Sequence, residues 1–255
     1  MFGEVAETYD RVRPGYPAGL LDDVVRVAGP AARGPVLEVG CGTGKATVAL
    51  AARGVELVAL EPSEAMAAVA RRRCAPYPRV RIETTAFEDW AGAAAHYRLL
   101  ASAQAWHWIR PGVRLAQAER VLVADGVVAL WWNRQRWRAG DPLRDALAAV
   151  YRERVPDLAA RNPGFPGLVG GGAALTPVDE LEASDAFGPV TRTDYPWRED
   201  YSPARYCELL RTQSDHRLLS DAELTRLLDG VTAVLEDAGG ITVDYVAELS
   251  VARRR

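Results

Sequence analysis

The chain has 255 residues, 49% of them hydrophobic and 25% charged, with 31 basic and 34 acidic side chains and a formal net charge of −3. That balance is the composition of a globular protein built as one large domain or a domain with a smaller cap, and its mild acidity argues against nucleic acid or anionic membrane as a partner, since both need a dense basic field. The opening MFGEVAETYD has no apolar segment of the signal-peptide kind, no run of about 18 apolar residues suggests a membrane span, and Cys41, Cys74 and Cys207 lack the spacing of a zinc site, reading as reduced thiols of a cytoplasmic protein.

In chain order, Ala18–Ala28 carries an apolar stripe at positions 20, 21, 24, 25 and 28, the pattern of an amphipathic helix. Val36–Val39 is a short apolar strand ending in glycine, followed by a helix over Lys45–Ala52. Glu56–Leu60 reads as a strand and Ser63–Arg73 as a helix, with Arg71, Arg72 and Arg73 at its end, where cations favour the helix dipole. Further strands are expected at Val80–Thr84, Tyr97–Ser102 and Val127–Trp132, with a helix over Pro111–Val123. This β-α alternation argues for a parallel sheet covered by helices on both faces.

Beyond it, Asp141-Pro142, Thr176-Pro177 and Ser202-Pro203 each pair a capping residue with proline at the first helical position, so each is expected to open a helix. Ser220-x-x-Glu223 is a capping box ahead of Leu224, Leu227, Leu228, Val231 and Leu235. Asn162–Gly172 reads as a loop, either a connector or a lid. Ile241–Val251 alternates with period two, and with Val190–Tyr195 it suggests a hairpin-like pair closing the sheet.

The chemistry-bearing motif is VLEVGCGTGKA, from Val36 to Ala46, which contains the only lysine of the chain, Lys45. A P-loop follows G-x-x-x-x-G-K-[ST]; here Val39 and Ala46 occupy its first glycine and its hydroxyl position. The dinucleotide fingerprint G-x-G-x-x-G fails too, because Lys45 falls on its last glycine. What remains is E-x-G-x-G-x-G: Glu38, Gly40, Gly42 and Gly44. Glycines let the backbone approach a bulky ligand, the amides opening the next helix favour a carboxylate, and Glu38 can accept from an ammonium group. Glu61 ends the second strand, where an acidic side chain can accept from both ribose hydroxyls. An amino-acid-bearing nucleoside, S-adenosylmethionine, matches all of these.

On these residues the chain resembles the class I S-adenosylmethionine-dependent methyltransferases. FGEVAETYDRVRPGYP, Ala105-Trp106-His107-Trp108 and Glu119-Arg120-Val121-Leu122 resemble the small-molecule branch that includes trans-aconitate methyltransferases. The resemblance implies a doubly wound, Rossmann-like, mostly parallel seven-stranded α/β sheet with an antiparallel last strand and a helical cap. It implies N-terminal helices over residues 1–34 covering the cofactor, a binding core at 35–138, a helical insert or lid at 139–186, and a completing segment at 187–255. It places Tyr9, Arg13 and Tyr16 over the cofactor, with Arg13 facing its carboxylate, and Cys41, Thr43, Pro62, Met66, Ala103 and Gln104 along the cofactor site beside the glycines. Many relatives hold the adenine amino group with an acidic residue where this chain has Ala86, which leaves the backbone of Phe87 or a shifted Glu88 for that contact.

Methyl transfer needs no metal, and none is expected. S-adenosyl-L-homocysteine is the expected product, the acceptor is expected to be a small molecule reacting through oxygen, and the protein to be a monomer or homodimer. A carboxylate acceptor needs no base, whereas a hydroxyl does. His107, after the fourth strand, is the leading candidate for a base or for positioning. His216 reads more readily as a surface histidine than as a second candidate, and His96 as exposed. Tyr16, Trp106, Trp108, Trp132, Trp137 and Trp197 form a candidate aromatic wall for the acceptor, with Arg134 as a carboxylate clamp. Two other readings share the fold: a cofactor-binding protein that transfers no methyl, and a macromolecule methyltransferase. The second is disfavoured because no Asn/Asp-Pro-Pro-aromatic pattern follows the fourth strand.

Overall fold

Seven strands form one sheet in the order β3-β2-β1-β4-β5-β7-β6. They are β1 (Val36–Val39), β2 (Leu57–Leu60), β3 (Val80–Glu83), β4 (Tyr97–Ala103), β5 (Leu122–Arg136), β6 (Thr191–Tyr201) and β7 (Ile241–Arg253). The sheet is mostly parallel, its last strands antiparallel, and helices flank it, as the sequence led us to expect. The structure, a computed structural model, describes residues 6–29, 35–138, 140–161 and 177–255; the Asn162–Gly172 segment lies outside them.

The chain divides into two compact units. One comprises the described residues of Gly15–Asn133, Leu175–Tyr195 and Ala247–Arg255. It holds the parallel strands with the helices α2 (Ala18–Val27), α3 (Lys45–Ala51), α4 (Glu64–Cys74), α5 (Arg114–Val121) and α8 (Pro177–Glu182). β1 pairs in parallel with β2 through Glu38 and Ala59, and with β4 through Glu38 and Ala101. The strand order reverses at β1, so the turn leaving β1 opens at the crevice where ligands bind in such sheets. Leu37, Val39, Leu60, Leu100, Val128 and Leu130 pack with Phe87, Trp106, Trp132, Leu181 and Phe187 into one core.

The other unit comprises the described residues of Met1–Pro14, Arg134–Ala174 and Pro196–Val246. Its helices are α1 (Ala6–Val12), α6 (Pro142–Arg154), α7 (Pro156–Arg161), α9 (Pro203–Arg211) and α10 (Asp221–Ala238). Leu147, Leu158, Leu210, Leu227, Val231 and Leu235 are buried in its core. Three capping residues act as their spacing predicts: Asp141 accepts from the Leu143 and Arg144 amides, Ser202 accepts from the Arg205 amide, and Ser220 forms the reciprocal box with Glu223; Thr176 lies outside the described residues.

Three boundaries moved. β5 extends well past the apolar run Val127–Trp132 because Asn133 and Gln135, although polar, are buried strand residues. β6 runs on through Pro196, which a strand at the sheet edge tolerates because its amide need not join a ladder. α5 starts late, at Arg114, since Gly112 turns the chain with φ +79.

Candidate functional site

The turn after β1 is fixed by its backbone. The Gly40 and Cys41 amides donate to the Leu60 carbonyl at 2.9 and 3.0 Å, and the Gly44 amide donates to the Cys41 carbonyl at 2.9 Å. Gly40, Gly42 and Gly44 all have positive φ, at 72, 57 and 83°, a conformation that L side chains rarely adopt. Space excludes a side chain as well, since a Cβ on Gly40 would lie 2.3 Å from the Cβ of Ala105. The same contact places the segment that follows β4 directly against the glycine turn.

Glu38 and Glu61 give the turn its charge. Glu61 accepts from the Gly42 amide at 3.0 Å and the Ser63 amide at 2.9 Å, tying the two strand ends together. Burial raises its pKa, and these two amides oppose the rise. Glu38 is fully buried, and neither of its oxygens has a hydrogen-bond partner. Burial pushes its carboxyl up to about 7, with the neighbouring Thr47 hydroxyl opposing the shift and Glu61 adding to it. The Thr43 hydroxyl, one residue beyond Gly42, is likewise buried without a partner. A buried carboxylate without a partner is costly; an amino group delivered by a ligand would relieve it. S-adenosylmethionine therefore fits the residues present: ammonium to Glu38, ribose to Glu61, and a glycine cradle that a Cβ would fill.

Around this turn Met66 is buried on α4, and its Cε lies 3.9 Å from where a Gly42 Cβ would sit; Pro62 is exposed. Ala86 precedes a 3-10 turn over Phe87–Asp89. Phe87 is buried, and Glu88 accepts from the Arg110 amide at 3.0 Å. Ala103 ends β4, and Gln104 holds φ +60 while its amide donates to the Trp131 carbonyl at 2.9 Å. Cys41, Cys74 and Cys207 are buried free thiols, and burial raises the pKa of each. Among the described residues no cluster of three His, Cys, Asp or Glu is placed to hold a metal ion, and no helix is long and apolar enough to cross a membrane.

The segment after β4 forms a 3-10 turn over Trp106–Trp108. Trp106 is fully buried and Trp108 exposed. The Trp132 indole donates to His107 Nδ1 at 3.3 Å. Tyr16 meets Trp131 edge-on, with ring centroids 5.8 Å apart. Sequence reasoning missed what anchors this turn. Arg114, only 3% exposed, pairs with Glu180 at 2.6 Å and donates to the carbonyls of Trp106 and Ile109. An arginine in a helix reads as a surface residue, so nothing local marked it. Arg120, quoted above only as part of a resemblance, donates to the carbonyls of Trp90 and Gly92 and so holds the segment after β3.

Tyr9, Arg13, Arg134, Trp137, Trp197 and His216 belong to the other unit. Arg13 donates to the Thr212 hydroxyl and carbonyl at 2.8 and 2.7 Å and lies over the Tyr9 ring, so its guanidinium is already held within that unit. His216 is not a surface histidine: it is 1% exposed, with Nδ1 3.0 Å from Asp215 and Nε2 2.7 Å from the Tyr151 hydroxyl. Both ring nitrogens are engaged in the packing of α6 against the turn before α10, which leaves none for proton transfer to a ligand. His96 is exposed, as expected.

Comparison with known proteins decides the family. Residues 36–126 match the family model described as a methyltransferase domain. An uncharacterized methyltransferase of Mycobacterium tuberculosis is 34% identical over 252 residues, covering 96% of this chain and 92% of that protein. The chain belongs to the class I S-adenosylmethionine-dependent methyltransferases. The fold of this methyltransferase also matches solved structures. One, from Anaeromyxobacter dehalogenans and assigned as a type II methyltransferase, has a TM-score of 0.61 at 23% identity, covering 95% of this chain and 97% of that one. Another is the geranyl diphosphate C-methyltransferase of Streptomyces coelicolor in complex with S-adenosyl-L-homocysteine, with a TM-score of 0.51 at 18% identity, covering 93% of this methyltransferase and 75% of that chain.

Proposed function

We propose that this methyltransferase acts on an oxygen of a small molecule, as in the branch resembling trans-aconitate methyltransferases, and on a carboxylate in preference to a hydroxyl. The carrying observation is the Trp132 indole on His107 Nδ1. An indole N–H can only donate, so Nδ1 accepts and the neutral imidazole carries its proton on Nε2. In that tautomer His107 has no lone pair at Nε2 for deprotonating a hydroxyl, which favours an acceptor that needs no base. A net charge of −3 also favours a small acceptor over nucleic acid. The fold alone says nothing of the acceptor atom, since the Streptomyces neighbour is a C-methyltransferase.

When bound, S-adenosylmethionine supplies an electrophilic methyl group on a sulfonium centre. The chain supplies position and environment. Ionised Glu38 accepts from the amino group, Glu61 from the ribose, and Thr43 offers its hydroxyl. Phe87 opens a 3-10 turn, whose first amides have no partner within the turn, and its backbone serves the adenine where Ala86 cannot. Glu88 is left on Arg110. The buried Trp106 and Phe87 rings, tilted together at 6.0 Å, keep water from one side of the turn. Orienting two reactants in this way contributes up to about 7–11 kcal/mol in well-aligned systems.

The test follows S-adenosyl-L-homocysteine release by mass spectrometry with matched aromatic carboxylates and phenols. Carboxylates are expected to turn over, with little pH dependence from an enzyme base. His107→Ala is expected to lower kcat/KM, and His107→Gln, which keeps an N–H donor, to restore part of it. Phenol methylation that rises through the imidazole pKa, with carboxylates inert, would make His107 a base and overturn the carboxylate reading.

A further inference from the structure

The unit that carries the glycine turn holds two further buried polar atoms without partners, both on β5. They are Nε1 of Trp131 and Oδ1 of Asn133, on residues 0% and 7% exposed. Register fixes the way they face. Glu38 of β1 pairs with Ala101 of β4, and Ala101 with Ala129 of β5, so these three side chains share one face of the sheet. A strand returns to the same face every second residue, which puts Trp131 and Asn133 on the face of Glu38. Ala103, the last residue of β4, pairs with Trp131. Asn133 therefore stands past the end of β4, at the carboxyl edge where open α/β sheets hold their ligands.

Both side chains are fixed. The Gln104 amide donates to the Trp131 carbonyl at 2.9 Å, and the Tyr16 ring meets the Trp131 indole edge-on at 5.8 Å. Asn133 Nδ2 donates to the Gly15 carbonyl at 2.9 Å, which orients the amide and leaves Oδ1 to accept from another group. Gly15 is exposed and Tyr16 half-buried, and a Cβ on Gly15 would meet nothing within 4 Å, so this cover is one loosely packed turn of chain.

A buried donor and a buried acceptor two residues apart each forfeit the bonds they made to water. One ligand group completes both only if it accepts and donates at once. A carboxylate only accepts, and would set its charge against Asn133 Oδ1. An ammonium only donates, and would meet the indole N–H. A neutral carboxamide or hydroxyl does both.

We propose that Trp131 and Asn133 hold a neutral group of the methyl acceptor, a carboxamide or a hydroxyl, away from the atom that is methylated. Its oxygen accepts from the Trp131 indole, and its N–H or O–H donates to Asn133 Oδ1. The proposal rests on the reading of the protein as a small-molecule methyltransferase and adds a pair of residues that sets its specificity.

The full chain, saturated with S-adenosyl-L-homocysteine, is followed by proton–nitrogen correlation spectra, in which each of the seven tryptophans gives an indole signal. The signal missing from Trp131→Phe identifies Trp131. Benzamide and benzyl alcohol are expected to move it downfield in a saturable titration, as a new hydrogen bond at the N–H requires, whereas benzoate and benzylamine leave it in place. Whichever neutral probe saturates at lower concentration identifies the group. Asn133→Asp replaces the neutral acceptor by an anionic one, so benzylamine is expected to bind about tenfold tighter than to wild type and to move the Trp131 signal. Trp131→Phe is expected to leave calorimetric affinity for S-adenosyl-L-homocysteine unchanged; loss of that affinity would give the two atoms to the cofactor and overturn the proposal. Benzoate moving the signal as far as benzamide, neither neutral probe moving it at millimolar concentration, or an unchanged order of probes in Asn133→Asp would overturn it too. In those three cases a wild-type chain that binds S-adenosyl-L-homocysteine keeps its proposed function. A wild-type chain that does not bind it loses that function, and the proposal with it.

Discussion

Glu38 and the Asp215–His216–Tyr151 group are both buried and ionisable, yet they are built on opposite plans. In the second, every ring nitrogen of His216 has a partner, with Asp215 at 3.0 Å and Tyr151 at 2.7 Å. In the first, a fully buried carboxyl has none. A satisfied network holds secondary structure together and asks nothing of solvent or ligand. An unsatisfied carboxyl at a sheet's switch point is costly to keep, and a ligand's amino group would relieve it. Burial of a polar residue is therefore a poor guide to function, and the missing partner is the better one.

The contrast can be broken in several ways. Gly40→Val has the largest expected effect: positive φ together with a Cβ lying on Ala105 distorts the turn, so calorimetric binding of S-adenosyl-L-homocysteine is expected to vanish. Next, Glu38→Gln is expected to weaken that binding about tenfold to a hundredfold, as loss of a charge-assisted bond does. The same change is expected to raise the cofactor-free Tm at alkaline pH, where an ionised, unpaired Glu38 destabilises the fold.

The pH dependence carries a definite sign. Glu38 titrates near 7 in the folded chain against an ordinary 4.5, so the native state binds the extra proton between those values. Its contribution to stability is full below the lower value and lost as pH rises through the upper one. Cofactor-free Tm is thus expected to carry a falling component from about pH 5 to about pH 8, while affinity for the amino-bearing ligand rises over the same window. Glu38→Gln should flatten both curves; unchanged curves would show that another group titrates.

On the satisfied side, Tyr151→Phe leaves His216 Nε2 buried without its partner. It is expected to cost about 1–3 kcal/mol in denaturant unfolding, with affinity for S-adenosyl-L-homocysteine unchanged. Smallest of all, Gln104→Gly relieves a left-handed residue and is expected to shift stability in denaturant unfolding by under about 1 kcal/mol.

Much of the cofactor side was legible because it depends on local pattern. The E-x-G-x-G-x-G spacing, the acid closing β2 and the proline-led caps at Asp141 and Ser202 each act within a few residues, and each stands where its spacing put it. Polarity misled the reading of β5, whose buried Asn133 and Gln135 look like loop residues, and Pro196 hid the second half of β6. Arg114 read as surface and is core, held by Glu180 far along the chain. His216 read as surface and is sealed by Tyr151 from another helix.

The sequence by itself determined the alternating α/β plan and the acids and glycines of the turn after β1, because those follow from residue type and short spacing. Tertiary structure alone decided which polar groups have partners: Glu38 without one, His216 with two, and His107 accepting from Trp132 at Nδ1. Such pairing is set by side chains tens to hundreds of residues apart meeting in a low-dielectric interior, and no local pattern records it.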